Sequence, residues 1–369
     1  MRRRSASHKH QPTMGALLSY LSSSGQDAMD DEDGDLLDLL NGDNIDWDVM
    51  IRRLRSYPEE AAAFAHSLDP SPFQRALEHP GMPLDVARAF LDAYEEAACR
   101  TNEAGESVLH AAVRHQEDVR IIELLLRHPP DAASLATREM QTLPLHCVPR
   151  NPQVAQILVE AYPVAAIAKD RGGRLPLHHA CCCQTLPIVD GNADQNDNEN
   201  ITRLPLQSPV HPGVVKLLIR TAEKQGLAHG GVLVKDTKGF TPWSLLCADL
   251  SCMLEDETRL DEEARKKNTS DLWESLTFLA QTATACEGEE PDFRIVHSLI
   301  SLDCSVSIVK HALYRYPNQF YLRDRYGRTP LMAAAVSLPK TRPSVLVFLL
   351  QSYPAAARMT GKLPIRTMQ

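Results

Sequence analysis

A short block recurs along this chain. Its clearest copies are Ser107-Val108-Leu109-His110-Ala111-Ala112, Leu143-Pro144-Leu145-His146, Leu175-Pro176-Leu177-His178 and Thr329-Pro330-Leu331-Met332-Ala333-Ala334. Thr241-Pro242-Trp243-Ser244 is a divergent copy. The leucine moves from 109 to 145 and then to 177, steps of 36 and 32. A unit of that length is one supersecondary element, too small to bury its apolar face alone, so neighbouring units must stack to make a core.

A second helix follows each block. Val119–Arg127, Val154–Tyr162, Val214–Arg220, Val306–Tyr316 and Val345–Tyr353 each place apolar residues at helical spacing, which gives one buried stripe per helix. Several such helices end in Tyr-Pro, at 57–58, 162–163, 316–317 and 353–354. Proline cannot continue a helix and pushes the residue before it out of the α region, so these are physical stops. The expected fold class is all-α, built from repeated helix-turn-helix units. Leu109, Leu145, Leu177 and Leu331 occupy equivalent points of the block and are expected to lie buried between units.

The blocks are preceded by Asp-x-x-Gly. Asp324-Arg325-Tyr326-Gly327-Arg328-Thr329-Pro330-Leu331 is the fullest case, followed by Asp170 to His178 and Asp236 to Pro242. In this combination of block and period the chain resembles the ankyrin-repeat family, whose period is about 33 residues. The resemblance spans roughly residues 44–360 and implies a solenoid of stacked units. It implies that His110, His146 and His178 tie neighbouring turns together by hydrogen bonds. The family's usual threonine is leucine at 143 and 175, and Ser244 and Met332 stand in the histidine position. Before Asn102 only the second helices, Trp47 to Tyr57 and Leu84 to Tyr94, are recognisable.

Residues 1–43 read as a disordered tail with a basic head at Arg2, Arg3, Arg4 and Lys9. An acidic run follows, from Asp27 to Asp48 without Lys or Arg. Within it, Asp35-Leu36-Leu37-Asp38-Leu39-Leu40 reads equally as a linear interaction motif or as a short helix capping the first repeat. Ser5, behind three arginines, fits a basic-directed kinase, and the same residues fit an ordinary basic tail. The array is expected over 44–360, with loop insertions at about 183–212 and 253–269 and a C-terminal tail at 361–369. No run of apolar residues is long enough to span a membrane, and the N-terminus lacks a secretory h-region, so a soluble cytoplasmic or nuclear protein is expected. Nine scattered cysteines fit free thiols in a reducing compartment.

Chemistry is sparse. Cys181-Cys182-Cys183 beside His178 and His179 is the most tempting metal cluster. Consecutive helical residues point about 100° apart, so they do not converge on one ion, and buried thiols explain them better. Phosphate-loop, nucleophile-elbow and His-Glu-x-x-His signatures are absent from the sequence. Neither a metal, a cofactor nor enzymatic activity is expected. The net charge of −9 argues against general nucleic-acid binding.

The expected function is a non-catalytic protein-binding scaffold, monomeric, without membrane or specific nucleic-acid contacts. The alternative is a signalling or transcription regulator whose acidic N-terminal segment recruits a second partner. An enzyme, or a regulatory part of one, comes third. The resemblance implies that the tips of the turns before each block line a concave groove. Those tips carry Glu103, Glu106 and Glu139 early in the chain, and later Arg171, Arg174, Lys238, Phe240, Arg325, Tyr326 and Arg328. Acid gives way to base along the row. An acidic partner segment is therefore expected on the later half, with the chain's own acidic tail as its competitor.

Overall fold

The computed structural model describes residues 36–40, 45–62, 70–79, 81–116, 118–128, 131–182, 210–255, 262–284, 294–337 and 342–354. The basic head with Ser5, the acidic run before Leu36, most of the 183–212 insertion and the 361–369 tail lie outside the described residues.

The described residues are all-α. Among them, fifteen α-helices and the 3-10 turn Pro144–Cys147 make eight consecutive pairs. They are α1 (Leu36–Leu40) with α2 (Trp47–Ser56), α3 (Pro72–Glu78) with α4 (Leu84–Ala93), and α5 (Val108–His115) with α6 (Val119–Arg127). The turn Pro144–Cys147 then pairs with α7 (Pro152–Ala161), and α8 (Pro176–Ala180) with α9 (Pro212–Lys224). The series ends with α10 (Pro242–Glu255) and α11 (Glu262–Thr284), α12 (Ile295–Ser301) and α13 (Val306–Arg315), and α14 (Pro330–Val336) and α15 (Pro343–Ser352).

Each pair packs against the pair before and the pair after. First elements meet in the series α1, α3, α5, Pro144–Cys147, α8 and α10, and second elements in the series α2, α4, α6, α7, α9 and α11. The core is correspondingly one long strip. Leu109, Leu145, Leu177 and Leu331 all lie buried in it, as the block spacing predicts. Full burial of one such side chain contributes about 1.5–3 kcal/mol.

Helix ends follow from local chemistry. Asp46 caps α2 by accepting from the N–H groups of Asp48 and Val49, and Thr329 caps α14 by accepting from Met332. Proline occupies the first turn of α3, α7, α8, α9, α14 and α15, where its missing N–H is not needed. The Tyr-Pro stops are real. Tyr57, Tyr162, Tyr316 and Tyr353 each donate a last N–H to the carbonyl four residues back, at 2.8–3.0 Å. Each then leaves the α region, with φ between −145° and −130°.

Two expectations are corrected. The tail does not extend to residue 43 without structure, because Leu36–Leu40 is a helix whose Leu36 and Leu40 are buried against α2 and α3. The leucines win there, since burying them outweighs the repulsion of the flanking aspartates. Likewise 253–269 is not a loop throughout. Helix α10 runs to Glu255 and α11 starts at Glu262, so the charged stretch 262–269 forms the opening turns of a 23-residue helix. That helix is anchored further along by buried Leu272, Trp273, Leu276, Leu279 and Ala280.

Candidate binding surface

The turn before each block is held by its first residue. The side-chain oxygens of Asn102, Asp170, Asp236 and Asp324 each accept the N–H of the residue four places on, all at 2.8 Å. The same residue pairs close a second bond along the main chain, at 2.8–3.0 Å. A tight reversal of this kind needs a left-handed residue, supplied by Gly105, Gly173, Gly239 and Gly327 at φ between 73° and 88°. The turn Thr137 to Thr142 is one residue longer and uses Gln141 at φ 53° instead of glycine, with Thr137 Oγ1 accepting from Thr142 N at 3.0 Å.

These turns are joined to one another through the backbone. Arg138 N–H donates to Ala104 O at 2.9 Å, Arg171 N–H to Met140 O at 2.8 Å, and Thr237 N–H to Gly172 O at 2.9 Å. Four successive tips thus form one hydrogen-bonded row. Gly105 sits where this row is tightest, since a Cβ there would lie 2.6 Å from Arg138 N.

The histidines bind the row from below. Nδ1 of His110, His146 and His178 accepts the N–H of the residue three places earlier, at 2.9–3.1 Å. That fixes the tautomer with the proton on Nε2. Nε2–H of His110 then donates to Thr142 O, and that of His178 to Val234 O, both at 3.0 Å in the following unit. His146 Nε2 is buried without such a bond. Two residues that the sequence reading missed also reach the next turn, Gln74 with both ends of its amide engaged and His297 through Nε2 alone, its Nδ1 being buried without a partner. Gln74 accepts from Ser71 N through Oε1 and donates through Nε2 to Glu106 O at 2.7 Å, and His297 Nε2–H donates to Arg328 O at 2.9 Å. Ser71-Pro72-Phe73-Gln74 stands 36 residues before the Leu109 block, so the period was the available signal. His297, in Ile295-Val296-His297, has neither proline nor leucine to announce it.

Burial disfavours the charged imidazoles. His146 and His178 are pushed down to about 4, and His110 and His297 are also lowered, with loss of solvation the main cause in each. Burial alone would raise the carboxyls of Asp170 and Asp324. The bond from His179 (2.9 Å) and the N–H of Arg174 reverse this for Asp170, and Arg328 does so for Asp324, so both stay below the usual value.

The ten sequence-predicted contact residues divide into two groups. Glu106, Arg174 and Arg328 are tied inward. Glu106 pairs with Arg114 at 2.6 Å, Arg174 with the buried Asp236 of the next turn at 3.1 Å, and Arg328 with Asp324 at 2.7 Å. The other seven are exposed: Glu103, Glu139, Arg171, Lys238, Phe240, Arg325 and Tyr326. Tyr326 stands 54% exposed between two guanidinium groups, Arg325 at 4.8 Å and Arg328 at 4.5 Å from its ring centre. Arg138 and Met140 are further exposed tip residues. Arg138 places a cation among the early acids, so the change of sign along the row is less sharp than the sequence reading has it.

Among the described residues no cluster of three or more His, Cys, Asp or Glu side chains is placed to hold a metal ion, and no helix is long and apolar enough to cross a membrane. Cys181 is buried and Cys182 half-buried. No protein-family model matches the chain, and no curated protein matches it significantly.

Proposed function

We propose that the chain is an ankyrin-repeat array that works without catalysis, holding an acidic segment of another protein on the later turn tips. The observation that carries this reading is the hydrogen-bonded row of tips. Arg171 and Lys238 project from adjacent, backbone-linked turns, with Phe240 beside them, while the acids beneath, Asp170 and Asp236, are consumed in holding the turns. Arg325 and Tyr326 repeat the pattern near the end of the array. Arg171 and Lys238 thus present exposed cations at adjacent tips, while the carboxylates below them point into the turns. Tyr and Arg are the side chains that most often anchor interfaces.

The regulator reading loses part of its support. Leu36 and Leu40 are spent in the core, so those two side chains do not serve a second partner. Competition from the acidic residues before Leu36 remains part of the proposal.

The test uses the full chain and the triple variant Arg171→Glu, Lys238→Glu, Arg325→Glu. Proteins co-purifying with each from cell extract are compared, and the partner lost from the variant is purified and titrated against both chains at rising salt. The reading expects unchanged circular dichroism, binding that weakens with salt, and at least tenfold loss in the variant. Removing residues 1–35, which spares α1, is expected to tighten binding. Equal affinity of wild type and triple variant for every partner overturns the proposal.

A further inference from the structure

Three residues spaced one helical turn apart on α10, namely Trp243, Cys247 and Ser251, face the connection between α12 and α13. Trp243 Nε1–H donates to Leu302 O at 3.2 Å, and Ser251 Oγ lies 2.7 Å from Ser305 Oγ. Between these two bolts, Cys247 Sγ lies 3.7 Å from Cys304 Sγ. The connection itself is tightly closed. Cys304 N–H donates to Leu299 O at 3.0 Å and Asp303 N–H to Ile300 O at 3.2 Å, with Asp303 left-handed at φ 56°. Neither sulfur can easily drift from the other.

We propose that Cys247 and Cys304 are a peroxide-sensitive dithiol that closes to a disulfide, stapling α10 to the α12–α13 connection. The two sulfurs differ in a way that assigns their parts. Cys247 is half-buried and reachable by a small oxidant, whereas Cys304 is buried. Burial and the neighbouring Cys247 push the Cys304 thiol well above its ordinary value, which suits it to follow the reaction and not to start it. In the first step the Cys247 thiolate attacks hydrogen peroxide. The O–O bond breaks, a sulfenic acid forms, and hydroxide leaves to become water with the proton lost from Cys247. In the second, Cys304 sulfur attacks the sulfenic sulfur, the S–O bond breaks, and hydroxide takes up the Cys304 proton as water. Two thiols and one peroxide give one disulfide and two waters, and the peroxide takes the two electrons.

The closure is short. A disulfide needs sulfurs about 2.05 Å apart, so closure brings the two sulfurs roughly 1.7 Å nearer. The bond would enclose all of α11 in a covalent loop, since the two cysteines stand 57 residues apart with that helix between them. It constrains the unfolded chain over the residues it encloses.

The experiment uses the reduced full chain treated with a small excess of hydrogen peroxide, then alkylated under denaturing conditions, digested and weighed. The proposal expects a linked pair of peptides carrying Cys247 and Cys304, two hydrogens lighter than their sum and split by dithiothreitol. It expects a thermal midpoint several degrees higher in the oxidised chain. Cys247→Ser is expected to lose both signals, and Cys304→Ser to leave a dimedone-reactive sulfenic acid on Cys247. Exposed Cys252, on the same helix, is the internal control. Full alkylation of Cys247 and Cys304 after peroxide treatment overturns the proposal, as does linkage of Cys247 to Cys252 in their place. If Cys304→Ser does not fold, the peptide masses of the wild-type chain and the Cys247→Ser midpoint decide alone.

Discussion

Acidification to about pH 5 should destabilise this protein through its buried histidines, and replacing one of them with glutamine should remove a defined part of the loss. His146 and His178 have folded values of about 4 against 6.5 when exposed. A folded value below the unfolded one means that the unfolded chain binds more protons between those limits. Stability is therefore fully present above 6.5 and lost as pH falls toward 4. The whole difference is about 3 kcal/mol for each group, of which about 2 kcal/mol has gone at pH 5. The carboxyls of Asp170, Asp324 and Glu106 lie below their ordinary values, so their contribution is lost only at lower pH. The window from 6.5 to 4 thus belongs to the histidines. The substitution to use is His178→Gln, because Gln74 already shows that a glutamine can accept the N–H three residues back and donate to the next turn. Urea unfolding followed by circular dichroism at pH 7.5 and at about pH 5 gives the comparison. His178→Gln should lose about 2 kcal/mol less than wild type over that interval, and should differ from it by less than about 1 kcal/mol at pH 7.5. If both chains lose the same stability, the buried neutral imidazole of His178 is not the cause, and the argument fails.

Leu177→Ala should cost about 2–5 kcal/mol, and hydrogen exchange should speed up mainly in α8, α9 and their neighbours; uniform loss along the chain would contradict a core built pair by pair. Gly105→Ala should destabilise by about 1–3 kcal/mol, because the new Cβ meets Arg138 N at 2.6 Å on top of its positive φ. Gly327→Ala has the same φ but open space around it, so about 1 kcal/mol is expected and thermal melts of the two variants should separate. Arg174→Ala leaves the buried Asp236 carboxylate without its guanidinium and should cost about 1–3 kcal/mol, read by urea unfolding.

The units were legible in the sequence wherever the block kept its proline and leucine. Leu109, Leu145 and Leu177 are buried as the spacing requires, and His110 and His178 reach the next turn. Legibility fails where another side chain takes over the same hydrogen bonds. Gln74 makes both of the block histidine's bonds and His297 the one to the next turn, but one sits in Ser-Pro-Phe-Gln and the other in a block without proline. For α1 the five residues give no period to read, so the sequence offers a capping helix and a linear motif equally, and the structure has the helix. The turns at 170–174, 236–240 and 324–328 fall where the Asp-x-x-Gly spacing puts them. That Arg174 is tied inward was not legible, since its partner comes from the next unit. Arg174 finds Asp236 at a separation of 62 residues, and no local pattern announces that. The thiol contact between Cys247 and Cys304 is equally invisible along the chain.

The backbone bond from Thr237 to Gly172 has a consequence for how such a chain can change. These two residues are adjacent in the row of tips, yet 65 positions separate them in sequence, about twice the spacing of their neighbours. Helices α7 and α9 also touch directly, on either side of residues 183–209. Distance along the row is therefore uncoupled from distance along the chain at this point. Residues can be gained or lost between Cys182 and Val210 without moving Arg171 relative to Lys238, because closing a longer loop costs only about 0.6 kcal/mol per doubling of its length. A reporter domain spliced there would ride on the array while leaving the register of its charges untouched.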